Sequence, residues 1–146
     1  MTQYRVQDWM TPNPITVDSD NNLSVAYHLM HLNQVRRLPV VGANGKLVGI
    51  LTWGDIREAK PKGVLAKQTG SDWEAHFLAA TLEVNQIMTP DPLTVTPDCS
   101  VRLAARLMLE HKIGGLPVVD NGAVVGMITE SDLFRFLTEI FPKDEV

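Results

Sequence analysis

The chain repeats itself, and that constrains its fold more than any other feature. Met10-Thr11-Pro12-Asn13-Pro14-Ile15-Thr16-Val17 returns as Met88-Thr89-Pro90-Asp91-Pro92-Leu93-Thr94-Val95, a shift of 78. Leu38-Pro39-Val40-Val41 returns at the same shift as Leu116-Pro117-Val118-Val119. Over the 32 positions from Met10 to Val41, 14 are identical to Met88–Val119, where unrelated segments would share roughly two. After a one-residue deletion the shift becomes 77, and Gly49-Ile50-Leu51-Thr52-Trp53-Gly54-Asp55 matches Gly126-Met127-Ile128-Thr129-Glu130-Ser131-Asp132. Whatever fold one copy adopts, the other must adopt as well.

Each copy reads locally as β-α-β-β-α. Ile15–Val17 and Leu93–Val95 are short β-type runs behind a Pro-x-Pro turn. A helix follows from Leu23 and from Val101, the latter with Ser100 as N-cap. Val101, Ala104, Ala105 and Met108 fall on one face at helical spacing, while Leu103 and Leu107 occupy another, so this helix is expected to be buried on two sides. Two strands come next, Leu38–Val41 with Lys46–Thr52 and Leu116–Val119 with Ala123–Thr129. Asn-Gly lies between them in both copies, the preferred pair for a tight hairpin because both turn residues need positive φ. A last helix starts near Asp55 and near Asp132. The expected organisation is two α/β units (α+β-like in the layout of each copy), residues 1–60 and 84–146, joined by a linker over 61–83. Within that linker Ser71-x-x-Glu74 has the form of a capping box, and Trp73, Phe77 and Ala80 share a helical face. That face packs either within the chain or against a second subunit.

Composition narrows the function. A net charge of −4 over 146 residues supplies no cationic field for DNA, so nucleic acid is not an expected partner. Cys99 is the only cysteine, which rules out an intramolecular disulfide and a cysteine-based zinc site. No run approaches the roughly 20 apolar residues of a membrane span, and the first residues carry no signal pattern. A soluble cytoplasmic protein is expected.

Two constellations could carry chemistry, and each occurs twice. Thr52-x-x-Asp55 and Thr129-x-x-Asp132 sit at strand-to-helix junctions, three residues after a glycine. The spacing is that of a capping box, with the Thr hydroxyl satisfying a free backbone N–H. It equally suits a nucleotide, because a helix start accommodates phosphate and a carboxylate can accept hydrogen bonds from two ribose hydroxyls. The second constellation is Val35-Arg36-Arg37-Leu38-Pro39 against Ile113-Gly114-Gly115-Leu116-Pro117. Its arginines are either a solvated loop or a phosphate clamp, and its glycines leave room for a ligand or a close backbone approach.

Met-Thr-Pro, the Leu-Pro-Val-Val strand and Gly-h-h-Thr-x-x-Asp (h apolar), each present twice from about Val6 to Leu137, resemble a CBS (cystathionine β-synthase type) motif pair, or Bateman module. The Trp-containing insert is similar to that of acetoin-utilisation protein B-like CBS proteins, although the further C-terminal domain of many such relatives is not expected here. The resemblance implies tandem motifs packed as a pseudo-twofold pair, two ligand clefts and a disc-like homodimer. It also implies binding of AMP, ADP or ATP, with or without Mg²⁺, or of S-adenosylmethionine. Carried onto this chain, one cleft would use Thr129 and Asp132 with Thr11, Thr16, Val35 and Arg37; the other would use Thr52 and Asp55 with Thr89, Thr94, Ile113 and Gly115. Pro39 and Pro117 complete the nucleotide-binding set. The Asp residues would hold ribose, Thr52 and Thr129 would bond phosphate or ribose, and Thr16, Thr94, Val35 and Ile113 would line the base. Arg37 departs from the small residue often found at its position; it either reaches a phosphate or fills the cleft.

Catalysis is not expected. His28 and His31 lie at i, i+3 with no third metal ligand, His76 and His111 have no sequence partner, and no P-loop signature occurs. No cofactor or metal is required. The remaining readings are a regulatory sensor of adenine nucleotides serving a client enzyme or transporter, and an oligomerisation or docking module with empty clefts.

Overall fold

The computed structural model describes residues 4–59 and 81–143; the expected Trp73 helix lies outside these. Along the chain the elements are α1 (Val6–Trp9), β1 (Thr11–Pro12), β2 (Val17–Asp18), α2 (Leu23–Asn33), β3 (Arg37–Val41), β4 (Leu47–Thr52), α3 (Trp53–Ala59), α4 (Val84–Ile87), β5 (Thr89–Pro90), α5 (Val101–His111), β6 (Gly115–Asp120), β7 (Ala123–Thr129) and α6 (Glu130–Ile140). They form two compact units that are cut differently from the sequence repeats. The central unit is Ile15–Pro92; the terminal unit joins Met1–Pro14 to Leu93–Val146. Each Met-Thr-Pro arm therefore folds with the other copy's strands.

In the central unit the sheet order is β2-β3-β4-β5, with β2 parallel to β3 and the remaining pairs antiparallel. Asn22 caps α2 by accepting the Val25 N–H at 3.1 Å. Gln34 ends the helix in the left-handed region, its N–H bonded to the Met30 carbonyl, a stop that satisfies an otherwise orphaned acceptor. Leu23, Ala26 and Met30 of α2 meet Leu38 and Val40 of β3, Leu51 of β4, Ile56 of α3 and Val84 of α4 in one buried cluster. Each such aliphatic side chain contributes about 1.5–3 kcal/mol on burial.

The terminal unit repeats the plan with order β1-β7-β6. Ser100 caps α5 through the Leu103 N–H at 3.0 Å, and Lys112 ends it in the left-handed region as Gln34 does in α2. Val6 of α1 joins Ala104, Met108, Leu116, Val118 and Ile128 in the core. Phe136 of α6 meets Tyr4 and Trp9 edge-on at 5.0 and 4.9 Å, which fixes α1 against α6.

Three expectations are corrected. Helix α5 buries one face, not two: Leu103 is 40% exposed, and only Leu107 of the second face packs against the core. The early strands are shorter than read, since β2 covers Val17–Asp18 and its counterpart shrinks to one bridge, Val95 to Val118. The two hairpins also differ. Asn121 and Gly122 both have positive φ (52° and 84°), as a two-residue turn requires, but in the first copy only Gly45 does (77°). The extra residue there makes a wider loop, closed by Gly45 N–H to Gly42 O at 3.0 Å and Gly42 N–H to Lys46 O at 2.9 Å.

Candidate functional site

Both Thr-x-x-Asp segments form strand-to-helix junctions, with the Thr ending the strand and the Asp in the helix's first turn. In the central unit the Thr52 N–H donates to Asp55 Oδ2 at 2.8 Å, and the Asp55 N–H donates to Thr52 Oγ1 at 3.1 Å. That is the reciprocal capping box read from the spacing. In the terminal unit the Thr129 N–H reaches Asp132 Oδ2 at 2.9 Å, and the Thr129 hydroxyl donates to the same oxygen at 3.2 Å. The loop before β3 and β6 helps each helix start, because Trp53 N–H bonds Arg36 O at 2.8 Å and Glu130 N–H bonds Gly114 O at 3.1 Å.

Around these similar frames the two units differ. Thr11 donates its hydroxyl to Asp132 Oδ1 at 3.1 Å. Arg135 stands 3.7 Å from that same oxygen, donates to the Trp9 carbonyl at 2.8 Å and lies over the Trp9 ring. Asp132 is 6% exposed and is the one buried charged residue among those described. Asp55 is half-buried, and its hydrogen bonds to described residues are those with Thr52. Position 58, which matches Arg135 at the 77-residue shift, is Glu.

Strand register settles which other candidates share each junction. In the antiparallel β3–β4 pair Arg37 is opposite Thr52, so the two side chains share a face; in the β6–β7 pair Gly115 is opposite Thr129. Pro39 faces Ile50 and Pro117 faces Met127, and both prolines are buried. Thr89 pairs with Ile50 on the edge strand β5. Val35 is half-buried against the central core. Thr16, just before β2, is half-buried; Thr94 and Ile113, on either side of α5 in sequence, are exposed. Within one unit, then, Arg37 stands opposite Thr52, Gly115 stands opposite Thr129, and Thr11 bonds Asp132. Sequence reading missed Arg135, whose helical spacing from Asp132 was the available signal.

The Asp98 carboxyl is held below its ordinary range by the Thr96 hydroxyl and its own backbone N–H. It belongs to the turn before α5 and is not a candidate site residue. No cluster of three or more His, Cys, Asp and Glu side chains that could hold a metal occurs among the described residues. No helix among them is long and apolar enough to cross a membrane.

Comparison with known proteins adds independent findings. The profile of the CBS domain matches residues 6–62 and again 84–139. A CBS domain-containing protein of Dictyostelium discoideum is 35% identical over 136 residues, 92% of either chain. Other curated relatives are longer, and the chain spans only 22–46% of their length. Among solved structures, a protein assigned to acetoin utilization (AcuB) from Vibrio cholerae superposes with a TM-score of 0.78 at 32% identity, over 95% of this chain and 93% of that one. The Arabidopsis thaliana CBS-pair protein CBSX2, solved in complex with AMP, gives 0.79 at 30%, covering 95% and 99%. The CBS domain pair of protein MJ0100, in complex with 5′-methylthioadenosine and S-adenosyl-L-methionine, gives 0.76 at 30%, covering 94% and 98%.

Proposed function

Since this chain belongs to the CBS domain family, we propose that it is a non-catalytic regulatory module that binds an adenine nucleotide or S-adenosylmethionine and reports its level to a client enzyme or transporter. The observation that carries this reading is the Thr52–Asp55 junction, which sets a half-buried carboxylate in the first helical turn beside the end of a strand. A carboxylate so placed can accept hydrogen bonds from the hydroxyls of a ribose. The adenine compounds held by CBSX2 and by the MJ0100 pair support the ligand class. A ligand acts on such a module only through different affinities for two of its conformations.

A purely interactional role is the second reading, favoured by large apolar side chains at the surface: Leu32, Leu109, Phe134 and Phe141 are each more than 60% exposed. On that reading the same module forms a homodimer or docks a client with no nucleotide in it.

A thermal-shift panel of AMP, ADP, ATP, NAD, GTP and S-adenosylmethionine, with and without Mg²⁺, separates the two. A ligand at about 100 times its Kd adds roughly 2.7 kcal/mol, a rise of several degrees in Tm. The expected result is a clear rise with one adenine compound and none with GTP. No shift for any compound at millimolar concentration would discard the sensor reading in favour of the interactional one.

A further inference from the structure

The two copies do not offer equivalent sites. Building on the nucleotide reading, we propose that the chain binds one 5′-phosphorylated adenine ribonucleotide, at Thr52, Asp55 and Arg37, and that Asp132 is a buckle fastening the N-terminal arm.

An ionised carboxylate offers about four lone-pair positions, and a ribose diol needs two of them. At Asp132, Oδ2 already takes the Thr129 N–H and hydroxyl, and Oδ1 takes the Thr11 hydroxyl with Arg135 at 3.7 Å. One position remains, on a residue 6% exposed. A diol could bind there only by displacing Thr11 or Thr129 from a buried carboxylate. At Asp55, Oδ2 takes the Thr52 N–H and the carboxylate accepts no other hydrogen bond among the described residues. A diol could be accepted there without displacing any hydrogen bond that the carboxylate makes among the described residues.

The charged partners make the same distinction. Arg37 stands across the ladder from Thr52 and is in neither ion pair found among the described residues. It is a cation on the same face as the hydroxyl at the strand end, suited to bidentate contact with a phosphate. The residue at the matching place in the terminal unit is Gly115. Arg135, the cation near Asp132, is held by the Trp9 carbonyl and ring. Among the described residues, the Asp55 site thus has unfilled acceptor positions and a cation in no ion pair, and the Asp132 site has neither a free pair of acceptors nor such a cation.

Calorimetric titration of the full chain with AMP, adenosine and S-adenosylmethionine tests this. The expected result is one AMP per chain. Asp55→Asn should abolish AMP and adenosine binding. Arg37→Gln should weaken AMP by about tenfold and leave adenosine unchanged, the size of one charge-assisted contact. Asp132→Asn and Thr11→Val should lower Tm and keep the AMP affinity; Thr11→Val, the milder change, carries this arm if Asp132→Asn fails to fold. Two equal AMP sites, or AMP binding lost in Thr11→Val and kept in Asp55→Asn, would overturn the assignment while leaving the nucleotide reading in place. Binding of S-adenosylmethionine without AMP would do the same. No heat with any of the three overturns both.

Discussion

Gly49 and Gly126 show why the motif at each junction begins with glycine. A Cβ on Gly49 would sit 2.9 Å from the Thr89 carbonyl oxygen, and one on Gly126 would sit 3.0 Å from that of Thr11, with Met88 and Met10 sulfurs closer still. The arms β5 and β1 pair with the strands at these positions, Pro90 opposite Gly49 and Pro12 opposite Gly126. Gly49→Ala and Gly126→Ala are therefore expected to cost about 1–3 kcal/mol each, read as a lower urea midpoint at unchanged slope. Shortening the methionine should not rescue either variant, because a backbone oxygen is the fixed obstacle. At this scale the sequence was informative where a residue acts on its neighbours: the Thr–Asp capping boxes and the Ser100 cap follow from spacing alone. The Thr11–Asp132 bond joins residues 121 apart, and no local pattern encodes it.

The elements were legible to the extent that a single strand or helix decides its own form. Helices α2, α5 and α6 and the paired strands β3–β4 and β6–β7 follow from periodicity and from the turn residues between them. The two-residue arms and the one-turn helices α1 and α4 escaped, because segments so short have no period and exist only through their partners. The hairpins show how one inserted residue redirects a turn. Asn121 holds φ at 52°, whereas among the residues of the first copy's loop only Gly45 is positive. Asn121→Ala should therefore cost about 1–2 kcal/mol, the penalty for an ordinary side chain in the left-handed region. Asn44→Ala should cost much less, since it loses only a 3.3 Å bond from the Lys46 N–H. Thermal unfolding of the two variants side by side measures the difference; equal losses would mean that the loops have the same geometry.

At the scale of the whole chain, the repeat boundary and the compact unit are different objects. Val6 lies in the same buried cluster as Leu116 and Ile128, and Val84 lies with Leu23 and Leu51. Removing residues 1–14 should thus weaken the half of the chain farthest from the cut in sequence. Hydrogen exchange is expected to rise in β7 and α5, which lose β1 and Val6, while β3 and β4 keep their protection. A uniform rise through both sheets would contradict independent cores. Sequence comparison finds the copies readily but not the exchange of arms, since both arms have the same Met-Thr-Pro sequence and neither states which sheet it completes.

That exchange has an evolutionary consequence. Cut between the copies, each fragment would keep an arm meant for the other's sheet and would lack the one that closes its own. Co-expressed fragments should therefore rebuild the molecule by split-protein complementation, and a lone fragment should borrow an arm from its twin. Two separate copies of a single motif could lend arms to each other in the same way, so joining them in one chain would call for no new strand pairing.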